Sequence, residues 1–187
     1  MKKLLIIVDM INGFLNQGNL HDKDINEIIP ACLAQIERFI AEKQEIIAFC
    51  DQHEIDSLEF KTFPVHCLAG SAESELVAEL IAYQEHFTII AKNSTNGFFA
   101  AGFKDYLNKL NDYQEIVLIG CCTDICVLQL ALSLRAYCNE KNYGCSIVVD
   151  QTACDTFNLE GHARDKFNDL SFELMQGSGI KIIKGVE

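Results

Sequence analysis

A thiol, a carboxylate and an ammonium each close an apolar run in this chain, and such a trio suits the chemistry of a nucleophilic cysteine. The run Ile116-Val117-Leu118-Ile119 leads into Gly120-Cys121-Cys122-Thr123-Asp124-Ile125-Cys126, after which a helix-like segment begins. Cys126 therefore stands at a strand-to-helix junction. Unpaired N–H groups and the positive dipole end at a helix start favour thiolate over thiol, and they can hold a developing oxyanion. The run Leu4-Leu5-Ile6-Ile7-Val8 ends in Asp9, and Phe87-Thr88-Ile89-Ile90-Ala91 ends in Lys92. Ligands of an open parallel α/β sheet bind outside the carboxyl ends of its strands, so three residues distant in sequence can share one crevice. Most of the other eight cysteines read as small buried hydrophobes.

A second group lies in the stretch 51–72, the longest without a clear element. Asp51 and His53 follow the second apolar run directly, and Glu59 and His66 come after them. Two imidazoles and two carboxylates suit zinc or another first-row divalent ion such as manganese or iron, and mixed nitrogen and oxygen ligation does not single out one metal. Long loops in compact domains are usually functional or disordered. Loop spacing leaves Glu54 and Asp56 as alternatives to Glu59.

These residues must be held by the elements between them. Short β-branched runs predict strands over 3–8, 45–50, 87–91, 115–120, 145–149 and 180–183, and longer segments predict helices over 24–42, 73–83, 100–111, 124–140 and 161–176. Regular alternation of this kind implies an α/β fold with three layers, α/β/α, around a six-stranded and mainly parallel sheet. The two prolines, Pro30 and Pro64, and the absence of repeats or low-complexity tracts fit one domain over 1–187.

Composition narrows the partners. A hydrophobic content of 49% supports a sizeable core, and a net charge of −12 with no basic cluster argues against nucleic acid. Nine cysteines, an odd count in a chain of this length, do not read as a secreted disulfide framework. Met1-Lys2-Lys3 and the apolar run behind it look superficially like a signal peptide, but the run stops at Asp9, too short for a signal core or a membrane span. The expectation is a cytoplasmic protein with no membrane contact.

The segments Val8-Asp9-Met10-Ile11-Asn12-Gly13-Phe14, Asp51-Gln52-His53, Phe63-Pro64-Val65-His66-Cys67, Lys92-Asn93-Ser94-Thr95 and Thr123-Asp124-Ile125-Cys126-Val127, in this order and spacing, resemble the isochorismatase-like cysteine hydrolases, and within them the nicotinamidases. The resemblance implies that Asp9 is the general base, that Lys92 orients and polarises, and that Cys126 is the nucleophile. It also implies an oxyanion hole from the backbone N–H groups of Cys122 and Cys126, with a cis Cys121-Cys122 peptide; small residues are usual there, and the adjacent cysteines leave room for redox sensitivity. Asp51, His53, Glu59 and His66 are its implied metal ligands, and Phe14 and Phe63 its implied aromatic ring contacts, although any single Phe is more often core.

The implied reaction is acyl transfer to Cys126 from a small amide, release of ammonia with a proton from Asp9, and hydrolysis of the thioester. The implied assembly is a homo-oligomer, dimer or tetramer. Two other readings compete: a metal-free amidohydrolase of a carbamoyl or ureido compound, and a redox or binding module using Cys121, Cys122 and Cys126 without turnover. An isochorismatase proper cleaves a vinyl ether and does not need the cysteine. Asn93 to Gly97 reads as a turn that can line the pocket. Asp150 reads as a cap or turn residue, and His21, His86 and His162 as surface or satisfied histidines.

Overall fold

The computed structural model describes residues 2–186. Six strands, β1 (Lys3–Val8), β2 (Glu45–Asp51), β3 (Thr88–Lys92), β4 (Glu115–Cys121), β5 (Ser146–Asp155) and β6 (Lys181–Ile183), form one sheet in the order β3-β2-β1-β4-β5-β6. Every pairing is parallel. The order reverses between β1 and β4, so the crevice for a ligand opens beyond their carboxyl ends.

Alternation along the central strands divides the core. Leu5, Ile7, Ile46, Ala48, Val117 and Ile119 face one side and pack with Cys32, Ile36 and Phe39 of helix Ile29–Ala41. Leu4, Ile6, Val8, Ile47, Phe49, Ile116, Leu118, Ile147 and Val149 face the other, against Leu130, Ala131 and Leu134 of helix Leu128–Lys141 and Met175 of helix Arg164–Gly177. Both faces are thus covered, which is why the strands read as continuous apolar runs. Each buried Leu or Ile contributes roughly 1.5–3 kcal/mol. Gly120 has φ +115°, and a Cβ on it would sit 2.0 Å from Val8 O. Only glycine lets β4 run this close to the end of β1.

Several expected helices are shorter or broken. The segment 73–83 gives only a turn at Ala72–Ser74 and a helix at Ala78–Ile81. Between them Asn12 N donates to Glu75 O and Val77 N donates to Met10 O, so the chain exchanges helical bonds for a bridge to the loop after β1. The segment 100–111 holds tight turns around Lys104–Leu107, since Gly102, Asn108 and Asn111 are poor helix formers. The segment 24–42 starts as a tight turn at Lys23–Ile28 and becomes α-helical at Ile29, with Pro30 in the first turn, where no N–H is needed. β5 runs on to Asp155, through an irregularity opposite Leu118 and Gly120.

Candidate active site

Asp9 follows β1 directly, Asp51 and Lys92 end β2 and β3, and Cys126 lies in a wide π turn, Thr123–Val127, beyond β4. Asp51 and Lys92 are register partners across the two strands. This brings together the three residues that ended apolar runs. Lys92 Nζ is 2.8 Å from Asp9 Oδ2, 2.5 Å from Asp51 Oδ1 and 3.8 Å from Cys126 Sγ, and it donates to Ser94 O at 3.1 Å. Asp9 has φ 52°, a left-handed conformation that is rare outside glycine and that clusters at functional sites. Its Oδ1 accepts from Asp51 N at 3.1 Å, and its carbonyl accepts from Cys121 Sγ. The Cys121-Cys122 peptide is cis.

Burial sets the charges. It pushes the Asp9 carboxyl up to about 7 against the pull of Lys92, with the Asp51 charge adding to the rise. Asp51 is opposed by burial too, but Lys92, His53 and His66 outweigh it and hold its carboxyl well below the usual range. Burial alone would lower Lys92, yet Asp51, Asp9 and the Cys126 sulfur keep it well above the ordinary value. At Cys126 burial outweighs Lys92, with Asp9 and Asp51 adding, so the thiol is pushed up. The preference for thiolate at a helix start is thus opposed here by burial and by the two neighbouring carboxylates.

The second group also converges. One ligand atom from each of Asp51, His53, Glu59 and His66 falls within a set whose members all lie within 4.8 Å of one another. His53 Nε2 is 3.4 Å from Asp51 Oδ2 and 3.8 Å from Glu59 Oε1; His66 Nε2 is 3.7 and 3.9 Å from the same oxygens. These gaps are long for hydrogen bonds, and His53 Nε2 is buried with no hydrogen-bond partner. Donors about 2.1 Å from a tetrahedral ion stand roughly 3.4 Å apart, so the cluster fits a divalent cation after modest contraction. The opposite ring nitrogens are held, His53 Nδ1 by Asn93 Oδ1 at 3.0 Å and His66 Nδ1 by Pro64 O at 2.8 Å. Each Nε2 is thereby aimed inward, the support that metal-binding imidazoles require. Thr95 N donates to Glu59 Oε2 at 3.1 Å. The loop that carries these ligands is closed at its base, where His53 N donates to Cys67 O and Ala69 N donates to His53 O.

A cavity of about 610 Å³ joins the two groups; Phe14, Asp51, Glu59, Phe63, His66, Cys122 and Cys126 line it. Phe14 and Phe63 stand 5.9 and 6.2 Å from the His66 ring, so both expected aromatic contacts reach the site. Asn93, Thr95, Phe60 and Phe157 were not singled out by role from the sequence. Asn93 and Thr95 lay in the turn-like stretch after Lys92, a signal of sorts; Phe60, 5.3 Å from the His53 ring, and Phe157, on the cavity wall, gave none. Asp150 is buried and accepts from Thr152 and Gln35, as a turn residue does. All nine cysteines are free and buried.

A carboxylate, an ammonium and a thiol meet at the switch point of a six-stranded parallel sheet, and the chain belongs to the isochorismatase family of hydrolases, whose isochorismatase domain model matches residues 3–176. Among curated relatives it is 31% identical to nicotinamidase 1 of Arabidopsis thaliana, covering 97% of this chain and 82% of that protein. Its fold matches a solved nicotinamidase of Bacillus subtilis at 27% identity and TM-score 0.77, over 98% of this chain and 100% of the other. It also matches the pyrazinamidase of Pyrococcus horikoshii solved in complex with zinc, at 24% identity and TM-score 0.80, over 98% and 99% of the two chains.

Proposed function

We propose that the protein is a nicotinamidase, hydrolysing nicotinamide to nicotinate and ammonia through a thioester on Cys126. One observation carries this reading: Lys92 joins Asp9 and Cys126 on one side to Asp51 and the two-histidine cluster on the other, and Cys126, Asp51 and His66 share one cavity.

Asp9 takes the Cys126 proton as sulfur attacks the carboxamide carbon, a transfer favoured by a carboxyl raised to about 7. Lys92 stays charged throughout and fixes the orientation of Asp9. The N–H groups of Cys122 and Cys126 hold the oxyanion. Asp9 then returns the proton to the departing ammonia, and it activates the water that cleaves the thioester. Asp51, His53, Glu59 and His66 hold one divalent ion, zinc first among candidates, which when bound supplies a Lewis-acid site for a pyridine nitrogen. Phe14 and Phe63 flank the ring. Nine free thiols suit a reducing compartment, so the reading places the enzyme in the cytoplasm. No helix of the described residues is long and apolar enough to cross a membrane.

The test is ammonia release from nicotinamide and a ureido compound, with elemental analysis of the purified protein. Cys126→Ala should keep its fold and lose turnover, and mass spectrometry should find the acyl adduct on the Cys126 peptide of the wild type. Turnover of the ureido compound by metal-free protein would replace this reading with the amidohydrolase one, and an adduct on Cys121 or Cys122 would displace the nucleophile.

A further inference from the structure

A second chain of contacts reaches the nucleophile's turn from outside the cavity. The His162 ring lies between two phenyl rings, with centroids 4.0 Å from Phe157 at 14° and 3.8 Å from Phe167 at 19°. Its Nδ1 is 3.0 Å from Phe157 O, and its Nε2 is 2.8 Å from Asp124 Oδ2. Both ring nitrogens thus have an oxygen partner, and the two phenyl faces hold the ring between them.

Asp124 connects this ring to the chemistry. It lies in the same five-residue π turn as Cys126, two positions earlier. Its other oxygen accepts from Thr156 Oγ1 at 2.5 Å, tying the turn to the end of β5. Phe157, stacked on the other side of the system, forms part of the cavity wall, whereas His162 does not reach the cavity. Nearby charges are paired elsewhere: Arg164 meets Asp22, Asp24 and Asp155 at 3.0 to 3.6 Å. The Asp124 carboxylate is the charge that meets the His162 ring.

We propose that His162 is a positioning residue: clamped between two phenyl rings, it holds the Cys126 turn through Asp124 and the substrate-facing wall through Phe157. This rests on Cys126 as the nucleophile and not on nicotinamide as the substrate. A satisfied surface histidine would leave the sulfur's reactivity unchanged when removed, whereas a positioning one would not.

The experiment compares His162→Ala, Asp124→Asn and the double variant. Two rates are read, kcat with nicotinamide and the alkylation of Cys126 by iodoacetamide followed by mass spectrometry. Each single substitution should lower both rates by about tenfold or more, since small displacements of a reacting group are costly. The double variant should be no worse than the worse single one, because the two residues act as one unit. Where His162→Ala does not fold, Asp124→Asn and His162→Gln carry the test, and Gln, without stacking, should not restore the rates.

Folded variants with wild-type alkylation overturn the proposal, as do losses that multiply in the double variant. Slower alkylation in the variants of a protein that does not hydrolyse nicotinamide would uphold the role of His162 while removing the nicotinamidase reading.

Discussion

Asp51 and Lys92 face each other across β2 and β3 as register partners, and Asp51 is shared: Oδ1 lies 2.5 Å from Lys92 Nζ, while Oδ2 lies 3.4 Å from His53 Nε2. The carboxylate that completes the proposed metal cluster also neutralises the ammonium beside Asp9 and Cys126. Removing it therefore strikes both halves of the site. Asp51→Ala should lose metal, lose activity by about 10²-fold or more, and lose roughly 3–5 kcal/mol of stability, because a buried ammonium is left short of a partner. Glu59→Ala makes the comparison: Glu59 does not touch Lys92, so metal and activity should fall with little change in the unfolding midpoint. Elemental analysis, kcat/KM and urea unfolding of the two variants check this, and equal loss of stability would contradict it.

The acid limb of the pH profile should belong to Asp9. The base must be ionised to accept the Cys126 proton, and its carboxyl is raised to about 7 by burial. The active form is thus the deprotonated one, so kcat/KM should fall about tenfold per pH unit as pH drops below about 7 and level off above it. Asp9→Asn should remove both the limb and nearly all of the rate. A profile flat down to pH 5 would assign the proton to another group.

Asn93 should matter without touching the reacting atoms. Its Oδ1 holds His53 Nδ1 and so keeps Nε2 aimed at the other ligands. Asn93→Ala should weaken metal binding by about 10–100-fold, as loss of such supporting contacts does elsewhere, and excess metal should restore most of the activity. Metal titration followed by assay at saturating metal reads both.

Nicotinamide should be preferred to benzamide by on the order of 10²-fold in kcat/KM, because a benzene ring has no lone pair to offer a metal, whereas Phe14 and Phe63 hold either ring alike. Chelation should erase most of this preference and leave the unfolding midpoint little changed. Equal rates for both amides with metal-loaded protein would disconnect the metal from ring recognition.

Residues that end apolar runs were legible because a parallel sheet collects its strand ends at one edge. Asp9, Asp51, Lys92 and Cys126 were each found from that rule and a local run of sequence. Contacts that depend on two loops meeting left no local trace. Asn93 meets His53 only after β2 and β3 pair, and His162 meets Asp124 only after β5 and the helix from Arg164 fold back over the Cys126 turn. The helix expected over 73–83 failed for a related reason, since its backbone is claimed by residues 10–12. Burial and the neighbouring carboxylates that push the Cys126 thiol up are likewise non-local, whereas its place near a helix start is local.

The loop from His53 to Ala69 is tied shut by its own backbone at its base, while Asp9 and Lys92 at the ends of β1 and β3 and Cys126 in the turn beyond β4 stand outside it. Three of the four residues proposed to hold the metal lie on that loop, and only Asp51 belongs to the sheet. The architecture is therefore detachable at one seam: a descendant that replaced this loop would lose the proposed pyridine recognition yet keep an intact thiol, carboxylate and ammonium, free to be fitted to a different amide.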